Sequence, residues 1–273
     1  MTTQLRNALL RGKRRPRNFG AGSPTNFRGD GYEFAELRQY VAGDDTRRID
    51  WAATARAGTL QTRVVLEDVA LTLAAIIDDS PSMQLGRARP LTAAATEAMT
   101  TWYEAALADD RCARITATGL VAPLGMRGFR SALACANARS TGVTLALPRA
   151  FDIARAALPR GAALLVVSDF FDLPDDADRM LGELGVLFDC TALFARDPWY
   201  DGLPLGGFVR LQDAETGAQR QFFIGRKQRA HYVKSVAQRE ELLSKRLGDS
   251  GWRTGLLHED DGRQSLLQAF GLR

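Results

Sequence analysis

The sequence predicts an α/β protein built on a doubly wound, mostly parallel sheet. Three observations carry this expectation. The run VALTLAAIID (69–78) is apolar nearly throughout, as a central strand covered on both faces must be. Further strand-like runs, ALLVVSD (163–169) and VLFDCTALF (186–194), are interleaved with stretches of helical spacing, and strands alternating with helices build parallel sheets. The 273 residues, 45% hydrophobic and 25% charged, suffice for a large core and have the composition of a globular protein.

Taken in order, residues 1–30 combine a basic run with Gly, Pro, Ser and Asn and read as a basic flexible arm. Arg6, Arg11, Lys13, Arg14, Arg15, Arg17 and Arg28 all precede the first acid, Asp30. The net charge of +4 therefore belongs to the arm, and the remainder holds 29 basic against 32 acidic residues. Residues 31–68 read as an N-terminal clasp segment and a hairpin strand. Within them a short helical pattern at 45–57 has Asp44 or Asp45 as N-cap and Gly58 just past its end, and TLQTRVVLE (59–67) alternates as a strand.

Residues 69–273 read as the α/β domain. After the central strand come a helix at 90–108, a strand or hairpin at 113–125, and helices at 129–138 and 146–158. The strand at 163–169, a helix at 174–184 and the strand at 186–194 follow. A C-terminal extension starts at about 198: a hairpin at 207–225 turning at Glu215-Thr216-Gly217, a charged helix at 226–247, the strand WRTGLLHE and a last amphipathic helix ending at Leu272. In the charged helix Tyr232, Val236, Leu243 and Leu247 form the inward stripe, and Trp102 and Tyr103 are assigned to the core.

Several function classes lack their residues. No apolar stretch approaches the roughly 18 uncharged residues of a membrane span, and the N-terminus has no signal-peptide core, so a cytoplasmic location is expected. Cys112, Cys135 and Cys190 are scattered, and His231 and His258 lie far apart, which leaves no zinc cage and makes the thiols buried small hydrophobes. There is no G-x-x-x-x-G-K-[ST] loop and no G-x-S-x-G elbow with a usable histidine, so no ATPase, protease or esterase is expected. Phe19 and Phe27 are the arm's aromatics; specific nucleic-acid binding is not expected, and the arm is left a weak contact with an anionic surface.

The chemistry lies where the strands end. Open α/β sheets bind ligands beyond the carboxyl ends of their strands, at the switch point. One apolar run ends in D-x-S-x-S, Asp78, Ser80 and Ser82, and another ends in Asp169. Between them STGVTLALP (140–148) offers Thr141 and Thr144 before a helix. Asp and Ser after a strand also serve as caps and turn formers. Two carboxylates with hydroxyls at one rim, however, suit a hard cation such as Mg²⁺, which favours oxygen ligands and retains waters.

These residues look like the metal-ion-dependent adhesion site (MIDAS) of von Willebrand factor A domains, in which D-x-S-x-S is followed by Thr and then Asp. More closely, YEFAELRQYVAGDDTRRIDWAATARAG and the strands after it resemble domain-of-unknown-function family 58, with its E-F-x-x-x-R-x-Y-x-x-G-D-D-x-R-x-I-D-W-x-x-x-A-R hallmark. The resemblance runs from about Gly29 to the C-terminus. It implies a sheet of von Willebrand factor A type with an N-terminal extended segment and a C-terminal hairpin-helix extension. It implies Mg²⁺, or Mn²⁺, held by Asp78, Ser80, Ser82 and Thr144, with Asp169 orienting its waters. The pair before Thr144 reads Gly142-Val143, a departure that keeps Thr141 as the substitute ligand. Many relatives carry two transmembrane helices upstream, and this chain resembles the short soluble subgroup.

In the hallmark segment Arg38, Asp44, Asp45, Arg47, Asp50, Arg56 and Arg63 mix charge signs at short range, with Trp51 as something to bury. An ion-paired structural clasp is the expected role, with partner docking as the alternative. The family's association with MoxR-type AAA+ ATPases implies a non-enzymatic, metal-dependent adaptor in chaperone-like remodelling, assembly or metal insertion of a client that supplies an acidic residue to the ion. The alternative is a Mg²⁺-dependent phosphoryl-transfer or hydrolytic enzyme with Asp78 as nucleophile.

Overall fold

The computed structural model describes residues 2–14, 28–41, 44, 46–66, 70–138, 144–214 and 216–272. In chain order the first elements are α1 (Thr2–Arg14), β1 (Arg28–Gln39), α2 (Trp51–Ala57), β2 (Gln61–Leu66), β3 (Thr72–Ile77) and α3 (Leu91–Glu104). Next come β4 (Arg111–Thr116), β5 (Gly119–Val121), α4 (Gly128–Ala136), α5 (Leu147–Ala157), β6 (Ala163–Ser168), α6 (Asp178–Leu187) and β7 (Asp189–Ala195). The chain closes with β8 (Gly207–Gln212), β9 (Gln219–Ile224), α7 (Arg226–Asp249), β10 (Arg253–Leu257) and α8 (Gly262–Ala269). Two compact units result: residues 1–13 with 71–273, and residues 14–70.

The larger unit is an α/β structure around a mixed, mostly parallel six-stranded sheet in the order β10-β7-β6-β3-β4-β5. β5 runs antiparallel to β4, and every other pairing is parallel. Because side chains alternate across a strand, β3 feeds two cores. Leu73, Ala75 and Ile77 meet side chains of α1, α3, α4 and α8, while Ala74 and Ile76 meet those of α5, α6 and α7. Helices thus cover both faces, which is why β3 and β6 read as continuous apolar runs. Gly262 lets α8 approach α3 closely: a Cβ there would lie 1.7 Å from the Ala94 carbonyl oxygen.

The first helix corrects an expectation. The proposed arm is, over Thr2–Arg14, a helix whose Leu5 and Leu9 are buried in the core beneath the sheet. Arg6 pairs with the fully buried Asp110 carboxylate, which also accepts the amides of Leu71 and Leu107, each at 2.6 Å. Residues 15–27 lie outside the described residues.

Other elements move less. α6 runs to Leu187, so the strand read from 186 begins at Asp189. β8 and β9 form the expected hairpin, whose turn Asp213 closes by accepting the Thr216 amide at 2.7 Å; Glu215 lies outside the described residues. Leu243 and Leu247 of α7 are buried, Tyr232 and Val236 half-buried, and Trp102, Tyr103 and the three cysteines are in the core. Burial pushes the Cys112 thiol up to about 12 and the Cys135 thiol up to about 11. Among the described residues no helix is long and apolar enough to cross a membrane.

The smaller unit pairs β1 with β2 antiparallel, opposing Leu37 to Arg63 and Gln39 to Gln61. Its helix starts later than the sequence pattern suggested: Asp50, rather than Asp44 or Asp45, is the N-cap of α2, accepting the Ala53 amide at 2.9 Å. Asp50 also takes the Arg63 Nε at 2.8 Å, and these two interactions hold its carboxyl below the usual aspartate range. Arg38 pairs with Asp44 at 2.6 Å, and Asp44 accepts the Val41 amide at 2.9 Å. Arg47 stands on a 3-10 turn at Thr46–Arg48, Arg56 is exposed in the last turn of α2, and Asp45 lies outside the described residues. Trp51, expected to be buried, is 68% exposed.

Candidate metal centre

β3 and β6 are neighbours whose onward connections diverge, β3 leading to β4 on one side and β6 to β7 on the other. That is the switch point, and the loops after both strands open there. The amide of Asp78 still bonds to the Val167 carbonyl at 2.9 Å, so the ladder fixes its backbone one residue past the strand. Its side chain, 4% exposed, accepts the Ser80 amide at 2.8 Å through Oδ1 and the Ser168 hydroxyl through Oδ2.

From this turn a hydroxyl relay crosses to β6. Ser80 Oγ lies 2.9 Å from Ser82 Oγ, and Ser82 donates to Asp169 Oδ2 at 2.5 Å. Asp169 Oδ1 accepts the Phe171 amide at 3.0 Å, and Ser168 Oγ accepts the Phe170 amide at 2.9 Å. Between them Phe170 sits at φ 56°, a left-handed conformation that costs a bulky residue about 1–3 kcal/mol. Burial of its ring among side chains of α5 and α6 offsets that strain.

The third loop is tied to the same rim. Asp79 Oδ1 accepts the Leu145 amide at 3.2 Å, and Asp172 Oδ2 accepts the Leu147 amide, at the start of α5, at 2.7 Å. Thr144, next to Leu145, is exposed. The structure therefore gathers Asp78, Ser80, Ser82 and Asp169 into one hydrogen-bonded group and sets Thr144 on the adjoining loop, outside that bonding. Thr141 lies outside the described residues.

Electrostatically the group is under-compensated. Burial, foremost, pushes the Asp78 carboxyl up, and the neighbouring Asp169 charge adds to it against the hydrogen bonds from Ser168 and Ser80. The cation of α7 that reaches the rim, Arg239, donates to the Asp169 backbone carbonyl at 2.6 Å and stacks over the Phe171 ring at 3.6 Å. Its guanidinium is itself disfavoured by burial, with Asp169 opposing. The donors are carboxylate and hydroxyl oxygens, and among the described residues no cluster of three His, Cys, Asp or Glu side chains forms. Such a set fits Mg²⁺ or Mn²⁺ and suits softer metals poorly.

Sequence reasoning assigned no role in the site to Ser168, Asp79, Asp172 or Arg239. Ser168 and Asp79 flank acids already singled out, and their polarity at the end of an apolar run was the available signal. Arg239 lies 70 residues from Asp169 and gives no local sign.

Residues 36–242 match the family described as protein of unknown function DUF58. An uncharacterized protein of Mycobacterium tuberculosis and one of Mycobacterium bovis are each 31% identical over 221 residues, spanning 77% of this chain and 69% of the relative. A Mycobacterium avium relative is 30% identical over 138 residues, 50% of this chain and 71% of its own. Among solved structures, an aerotolerance-related membrane protein from Bacteroides fragilis aligns at 14% identity and TM-score 0.44, over 74% of this chain and 99% of its own. The conserved hypothetical protein BatB from Bacteroides thetaiotaomicron aligns at 16% and 0.40, over 66% and 98%.

Proposed function

Because this chain belongs to the family described as protein of unknown function DUF58, we propose that it is a metal-dependent protein-binding adaptor of von Willebrand factor A type. It acts with a MoxR-type AAA+ ATPase on a client in chaperone-like remodelling, assembly or metal insertion. The observation that carries this reading is the hydrogen-bonded set that runs from Asp78 through the Ser80 amide and the Ser80 and Ser82 hydroxyls to Asp169 at the switch point. Asp78, Ser80, Ser82 and Asp169, with Thr144 from the adjoining loop, would hold Mg²⁺ or Mn²⁺. The ion would supply positive charge and an exchangeable position for a partner's carboxylate.

The chain's own residues prepare that position. Ser168 and the Ser80 amide fix the rotamer of Asp78, and Asp79 and Asp172 hold the loop of Thr144 against the rim. Mg²⁺-dependent phosphoryl transfer with Asp78 as nucleophile draws less support, because Ser80 stands two positions on, where such a site would want a second carboxylate.

The test is capture of the MoxR-type ATPase by immobilised chain in Mg²⁺ and in EDTA, alongside Mg²⁺ titration calorimetry of the chain alone. Capture and Mg²⁺ heat should both disappear in Asp78→Ala. Undiminished capture in EDTA would reject the reading.

A further inference from the structure

β8 and β9 form a two-stranded sheet, an arrangement that is marginal by itself. Phe208 and Phe223, paired across the two strands, meet edge to face with centroids 5.1 Å apart, yet remain 88% and 57% exposed. Leu211, Phe222 and Phe223 line an open concavity of about 640 Å³ together with Lys227 and Tyr232 of α7. Clustered exposed aromatics of this kind mark an interaction site. Around them Arg210, Arg220, Arg226, Lys227 and Lys234 are all exposed, and none forms a salt bridge among the described residues.

We propose that this face is a docking surface for an acidic segment of a partner protein carrying one or two bulky apolar side chains. The cations select the sign of the partner by charge complementarity. The concavity selects its form: an apolar side chain can enter a hollow of that volume, whereas a lipid headgroup layer meets only projecting groups. The inference does not rest on the metal centre, since none of these residues belongs to it.

The probe is a short fluorescein-labelled peptide of Glu residues around a Leu-Phe pair, read by anisotropy with the full chain in EDTA. Binding should weaken with added salt, fall about tenfold or more in the Lys227→Glu, Arg220→Glu double variant, and fall in Phe223→Ser, with circular dichroism unchanged. A peptide with Lys in place of Glu should bind much more weakly. Equal binding of the Lys peptide, or no loss in the double variant, would overturn the proposal. So would co-sedimentation with phosphatidylserine vesicles in the absence of peptide binding.

Discussion

Burial and the neighbouring Asp169 both favour the protonated form of Asp78, so the folded carboxyl keeps its proton at pH values where the unfolded chain has lost it. With the folded pKa above the unfolded one, the folded state binds more protons in that window, and stability declines as pH rises from the ordinary aspartate range through the folded value. Asp78→Asn, which removes the buried charge, should therefore raise the Tm of the metal-free chain near neutral pH. Mg²⁺ should raise the Tm of the parent and not of the variant. Differential scanning calorimetry with and without EDTA checks both, and a lower Tm for metal-free Asp78→Asn would contradict the electrostatics. The sequence displayed Asp78, Ser80, Ser82 and Asp169 because each interrupts or follows an apolar run. Ser168 carried the same mark, a polar residue at the end of an apolar run, whereas Arg239 gave none because only tertiary folding brings α7 to the rim.

Among the elements, α1 shows how a charge run can mask a core helix. Leu5 and Leu9, four residues apart, supply its buried stripe, while Arg11, Lys13 and Arg14 dominate the composition. The pairing of Arg6 with Asp110 is legible only in three dimensions, since 104 residues separate them. Leu9→Ala should cost about 2–5 kcal/mol by urea unfolding, the range for emptying a packed leucine site. Arg6→Ala should cost about 3–5 kcal/mol by stranding a buried carboxylate, with the Leu71 and Leu107 amides favouring the lower end. A loss under about 0.5 kcal/mol in both variants would match a surface site and contradict the docking of α1. β1 was overlooked for a related reason: its sequence, RGDGYEFAELRQ, mixes glycine and charge and lacks the apolar run that identified β3, β6 and β7.

At the scale of the whole molecule, the sheet, its helices and the C-terminal hairpin were readable because strand and helix periods alternate along residues 69–273. The division of the chain was less so, because the helix that begins it belongs to the larger unit. Stability should be graded accordingly. Amides of β3 and β6, buried on both faces, should exchange slowest in hydrogen-deuterium exchange, and those of the exposed β8–β9 hairpin fastest. Equal protection across these strands would contradict the grading. The straps from Asp79 to Leu145 and from Asp172 to Leu147 hold the α5 loop to the turns that follow β3 and β6 before anything arrives. On the proposed reading, a visitor would find the turns and Leu145 and Leu147 already tied and forfeit little entropy in ordering them, so its grip should be set by how slowly it leaves rather than by how fast it arrives.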